Sequence, residues 1–244
     1  MPFRAKYAWL VFLTYVGAQF GIGLVVGMGV AIWYAATRDA SAKAAVPMEV
    51  MRSAAVLGAA LGMTVGGAIA TWLMWLLGRE AGDSMRTLGW APATRRAVAF
   101  GTLAGVVLAA LFVFGITAIF PVPNGVRPGT LGSAITDGGW RLYTWALLGV
   151  AIAPPVEELV FRGALWTGLE RSWGAVAAAI AVTLVFVALH IPEAMGYLPA
   201  LITIALLGVL AIAARRATGS LVPGIAMHTG YNAVIVVAVL GMYA

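Results

Sequence analysis

Apolar residues run along this chain in long stretches, separated by short clusters of charge, proline and glycine. A bilayer core of about 30 Å takes about 20 apolar residues per helix. Seven stretches approach or exceed that length, at about 7–36, 53–78, 97–120, 142–169, 174–191, 196–214 and 220–243. The fourth is interrupted by Pro154-Pro155. The first follows Arg4 and Lys6 as a signal peptide would, but its apolar run is far longer than a signal peptide needs, so it reads as a retained span. The pattern predicts an all-α fold, a polytopic transmembrane helical bundle of seven to eight spans. The connections are short except at 37–52, 79–96 and 121–141. The last of these holds Pro121, Pro123, Gly125, Pro128, Gly129 and Gly132, which predicts an irregular loop.

Composition excludes most other classes. Hydrophobic residues make up 62% of the 244 residues, charged residues 10%, and mean hydropathy is +0.98. Soluble domains carry about a quarter charged residues. So few charges could not cover a soluble core, which excludes a soluble enzyme, a nucleic-acid binder and a disordered chain. With no cysteine, disulfides, thiolate metal sites and a Cys nucleophile are excluded too. The net charge of +6 then speaks to topology. From an N-inside start, the inner stretches hold Arg4, Lys6, Arg79, Arg86, Arg95, Arg96, Arg171, Arg215 and Arg216. The outer ones hold Arg38, Lys43, Arg52, Arg127 and Arg141. Nine against five places the N-terminus in the cytoplasm and, with seven spans, the C-terminus outside. The Arg-rich, Lys-poor usage hints at a GC-rich bacterial genome and hence a bacterial plasma membrane.

Two sets of residues ask only for packing explanations. Gly58, Gly62 and Gly66 repeat G-x-x-x-G on one helix face, as do Gly23 and Gly27, which lets helices approach closely. Trp9, Trp33, Trp75, Trp90, Trp140 and Trp173 fall near span ends, where aromatic belts form.

The chemistry lies in polar residues placed inside apolar stretches, since a charge at the bilayer centre costs about 2.5–3.5 kcal/mol on insertion scales. Three clusters stand out. In Pro154-Pro155-Val156-Glu157-Glu158-Leu159-Val160-Phe161-Arg162-Gly163, Glu158 and Arg162 are one helical turn apart and can pair. Glu157 points about 100° away and has no local partner. It could stay free as a base, or the cluster could be a charged helix end. His190 closes the apolar run that contains Phe186. His228 and Asn232 are four apart on the last helix and face the same way. A lone histidine in a span could simply bond a neighbouring carbonyl. Together, however, these groups offer a base, two imidazoles and an amide, a set able to activate water and hold an oxyanion.

The sequence Glu157-Glu158-x-x-x-Arg162, Phe186-x-x-x-His190, His228-x-x-x-Asn232 resembles the type II CAAX prenyl protease and bacteriocin-processing (CPBP, or ABI) family of intramembrane endopeptidases. The likeness covers about 140–243, and Phe161-Arg162-Gly163 is also typical of the family. It divides the chain into N-terminal transmembrane helices over 1–139 and catalytic core helices over 140–244. The resemblance implies hydrolysis of a peptide bond in a membrane-associated or prenylated protein or peptide by activated water. Glu157 would be the base, with His190 helping to activate water. His228 and Asn232 would stabilise the oxyanion, and Glu158 and Arg162 would support the site. The family often carries a metalloprotease label. The residues permit Zn2+ on His190, His228 and Glu157 with water in the fourth position, and equally a metal-free reading. H-E-x-x-H is absent, and the metal-free Glu/His reading is preferred. The partners implied are membrane lipid and a membrane-associated or lipidated substrate, with no nucleic acid.

Depth poses a problem. The predicted boundaries put Glu157 nearer the inner face and His190 nearer the outer, where they could not meet. Either the Pro154-Pro155 break shifts Glu157, or the helix bearing His190 starts outside the membrane core. Two other functions compete: a non-catalytic immunity or scaffold protein, and a proton-coupled transporter using Glu157 and the histidines as a relay. Against the transporter, there is no inverted repeat and no second broken helix in the first half.

Overall fold

The computed structural model describes residues 2–37, 45–123, 139–194 and 197–243. Among these, seven helices are long and apolar enough to cross a membrane, and there is no strand. They are α1 (Ala5–Ala36), α2 (Met48–Glu80), α3 (Arg95–Ile119), α4 (Gly139–Trp173), α5 (Ala175–Ala194), α6 (Leu198–Thr218) and α7 (Val222–Tyr243). All seven predicted spans appear, mostly longer by a few residues. No eighth span occurs among the described residues. Arg38, Lys43 and Arg127 of the charge count lie outside them, as do Gly125, Pro128, Gly129 and Gly132 of the predicted irregular loop.

Large apolar side chains cover the outside of the bundle. Leu13, Phe20 and Leu24 on α1, Phe100 and Leu103 on α3, and Val176, Ile180 and Leu184 on α5 are all exposed. In water such a surface would aggregate; in lipid it is the solvent-facing side. Inside, small residues set the helix spacing. A methyl group on Gly58 would sit 3.0 Å from the Gly23 Cα, one on Gly62 would meet the Gln19 carbonyl at 2.9 Å, and one on Gly66 would meet Ala18. The glycine face of α2 thus packs α1 as expected. Gly27 does not take part, because nothing lies within 4 Å of the place its Cβ would occupy. A second close pair was not anticipated. Gly101 and Gly105 of α3 lie against the backbone of α7, so that a methyl on either would fall onto the carbonyl oxygen of Pro223 or Met227. The tryptophans behave as belt residues: Trp33, Trp75, Trp90, Trp140 and Trp173 are exposed near helix ends.

The connections at one end of the bundle are bonded to each other. The Phe3 N–H donates to Asp83 (3.0 Å), and Arg171 grips both Asp83 oxygens (2.6 and 3.1 Å). Arg215 donates to the Thr87 carbonyl, the Leu221 N–H to Gly89, and the Ser220 hydroxyl to Ala91. The N-terminus, the 81–94 loop and the α4–α5 and α6–α7 turns are therefore gathered on one face, with all nine of the basic residues assigned to the inner side in or beside them. The α4–α5 turn is Gly174 alone, held at φ +82°, which only glycine adopts without strain.

Pro154 and Pro155 do not break α4, contrary to expectation. Wide π-helical turns at Leu148–Ile152 and Leu159–Leu165 flank a short α-helical piece, Ala153–Glu158, and the helix runs on. The widened register absorbs the prolines. The Ala153 N–H reaches back five residues to Leu148, so Gly149 would look to Pro154, which has no N–H to give. π-turns of this kind often occur at functional sites.

Candidate active site

The depth problem dissolves at Gly174. Glu157 lies seventeen residues before this hinge and His190 sixteen after it. At 1.5 Å per residue both sit about 25 Å from the turn, so the α4–α5 hairpin brings them level. The predicted boundaries had ended α4 too early.

Glu158 and Arg162 form the expected pair, Nη1 to Oε1 at 2.9 Å, and both are buried. Arg162 also lies over the Phe186 ring, 4.3 Å from its centroid. Phe186 belongs to an aromatic chain running inward from α1. Phe12 contacts Phe161, Phe161 meets Phe186 edge-on, and Phe186 touches His190 (4.4 Å) and His228 (5.9 Å). The packed core thereby fixes the position of both imidazoles.

Hydrogen bonds assign the tautomers. His190 Nδ1 lies 2.7 Å from the Phe186 carbonyl oxygen, which can only accept, so Nδ1–H donates and Nε2 keeps its lone pair. His228 Nδ1 lies 3.3 Å from Glu158 Oε1, so it too donates, and its Nε2 is free. Both Nε2 atoms are 3.8 Å from the same Glu157 oxygen, Oε2, which has no hydrogen-bond partner of its own. Three acceptors thus converge on one small space. A water molecule there can donate to two of the three at once, one through each hydrogen. Asn232 Nδ2 donates to the Gly149 carbonyl at 2.7 Å, the oxygen left without a helical donor by Pro154. The NH2 of Asn232 has a second hydrogen to offer.

These groups line a cavity of about 470 Å3 between α3, α4, α5, α6 and α7, within the range of binding pockets. Glu157, His190, His228 and Asn232 all face it, as do the apolar walls Phe112, Trp145 and Leu207. Every residue singled out from the three motifs is thus at this site, with Glu158 and Arg162 directly behind it. The sequence reading missed Glu193 and Tyr231, which also line the cavity. Glu193 follows His190 by three residues, a spacing that shares a helix face and could have flagged it.

The donor chemistry would suit an ion, with two Nε2 lone pairs, each imidazole oriented through its Nδ1, and a carboxylate. The spacing does not. Ligands on a tetrahedral zinc ion lie about 3.4 Å apart, and no group of three His, Cys, Asp or Glu among the described residues is arranged to hold a metal. The steps below therefore use only the chain's own groups.

Residues 139–234 match the family model described as Type II CAAX prenyl endopeptidase Rce1-like. The match supports the CPBP family for this stretch. The match runs from the start of α4 into α7 and includes all seven motif residues; α1–α3 lie outside it. The same match supports a CAAX-type intramembrane protease in general. No curated protein and no solved structure matches the chain.

Proposed function

We propose that the chain is an intramembrane endopeptidase that cuts a membrane-associated peptide with water activated by Glu157. The observation that carries this reading is the convergence of the Glu157 carboxylate and two imidazole lone pairs on one space inside a membrane-spanning bundle. A water molecule there can give one proton to Glu157 while His190 Nε2 orients it through the other. Its oxygen attacks the scissile carbonyl carbon. The oxyanion that forms takes hydrogen bonds from Asn232 and from His228, which takes up a proton at Nε2 from solvent before the attack and releases it to solvent with the products. Glu158, itself held by Arg162, accepts from the His228 Nδ1–H and orients the ring. As the C–N bond breaks, Glu157 returns its proton to the leaving nitrogen. Water has then been added across the peptide bond and the site is restored.

The basic residues gathered on the N-terminal face support a cytoplasmic N-terminus under the positive-inside rule, and the Arg-rich composition supports a bacterial plasma membrane. Substrates of the matching chemistry are prenylated C-termini, leader peptides and membrane anchors.

The test uses detergent-purified wild type beside Glu157→Ala and His228→Ala. Each is incubated with a pool of membrane-anchored and prenylated peptides, with and without chelator, and cleavage is read by mass spectrometry. Loss of the base is expected to lower cleavage by about 10²–10⁴-fold with melting points held. Unchanged cleavage in both variants would refute the site. Chelator sensitivity would bring a metal into the mechanism.

A further inference from the structure

The charges in the cavity do not balance. Glu158 is matched by Arg162 behind the wall, but Glu157 and Glu193 both face the space, and no Lys or Arg is among its described lining residues. Glu193 is near enough to His190, Glu157 and His228 to interact with their charges, but unlike Glu157 it lies within 4 Å of neither imidazole nitrogen. Its side chain is exposed, it lines the cavity, and it has no hydrogen-bond or ion-pair partner among the described residues. Its position is fixed by α5, three residues past His190 and away from the Gly174 turn.

We propose that Glu193 selects substrates with a Lys or Arg side chain one or two residues from the scissile bond, on the side facing the α5–α6 connection. The distance follows from the helix. Three residues of α5 rise about 4.5 Å from His190, and an extended peptide advances about 3.3 Å per residue. A cation held there is drawn to Glu193 directly and to Glu157 at longer range, and it replaces water around a carboxylate that the protein leaves unpaired. An acidic side chain at the same place would add a third negative charge to the cavity. This inference rests on the protease reading for what enters the cavity, but it can fail independently.

The experiment separates binding from cleavage. Membrane peptides identical except for Lys, Met or Glu at those positions are titrated onto the Glu157→Gln protein, in which turnover is arrested, with Glu193 intact or changed to Gln or Lys. With Glu193 intact, the Lys peptide should bind tighter than the Met peptide on the order of tenfold, as expected for a hydrogen bond to a charged group. The ratio should fall to near one in Glu193→Gln, which carries the test if the Lys variant does not fold. In Glu193→Lys the preference should turn to the Glu peptide. A Lys-to-Met ratio that ignores residue 193, or equal binding of all three peptides, overturns the proposal. Binding that follows Glu193 while the wild-type protein leaves the Lys peptide uncut would overturn the protease reading and leave this one standing.

Discussion

Glu158 and Arg162 show how much one residue depends on its partner here. Both are buried, and removing one member of such a pair typically costs about 3–5 kcal/mol, because the other charge is stranded. Arg162→Met should therefore lower stability by roughly that amount in detergent unfolding, while Glu158→Gln/Arg162→Met should recover much of the loss. A double variant no more stable than the single would show that the ion pair is not the cause. The pair could be read from the sequence, because a one-turn spacing needs only a helix. The freedom of Glu157 could be read for the same reason. The tautomers could not, since they depend on the Phe186 carbonyl and on Glu158 reaching His228 from another helix. Glu193 was visible as a residue three positions past His190, but only the cavity gives it a neighbourhood.

At the scale of elements, the two close helix contacts do different work. The α1–α2 contact was legible from the Gly58-Gly62-Gly66 repeat. The α3–α7 contact was not singled out, although Gly101 and Gly105 carry the same spacing, and it holds the helix that bears His228 and Asn232. Gly105→Ala should push α7 away from α3, since its methyl would fall on the Met227 carbonyl. A loss of about 1–3 kcal/mol is expected, as for other overpacked cores, together with a fall in cleavage. Gly27→Ala meets open space and should leave both unchanged. Equal melting points for the two variants would count against this assignment. The behaviour of α4 also had to be seen. Two prolines predict a break, and only the widened turns and the Asn232 bond to Gly149 show how the helix accommodates them.

At the scale of the whole molecule, the N-terminal face is tied together through Asp83. Partial burial pushes its carboxyl upward, but hydrogen bonds from Arg171, the Phe3 N–H and Thr87, with the charge of Arg171, outweigh this and hold its pKa below the ordinary value. A carboxylate with a lowered folded pKa adds stability above its unfolded value, about 3.9, and that stability is lost as pH falls through the folded value. Melting of the wild type should thus decline as pH drops below about 4. Asp83→Asn should be less stable at neutral pH and lose less over that range; parallel pH curves would refute the role of this tie. By itself the sequence determined the membrane class, a bundle of seven to eight spans and the spacing of the seven motif residues, because hydropathy, composition and one-turn spacing are local properties. Tertiary structure alone decided that the motifs share one level in the membrane, which imidazole nitrogens carry protons, and which carboxylate remains unpaired. Those depend on the Gly174 hairpin and on helices distant in sequence meeting around one cavity, and no local pattern encodes that meeting.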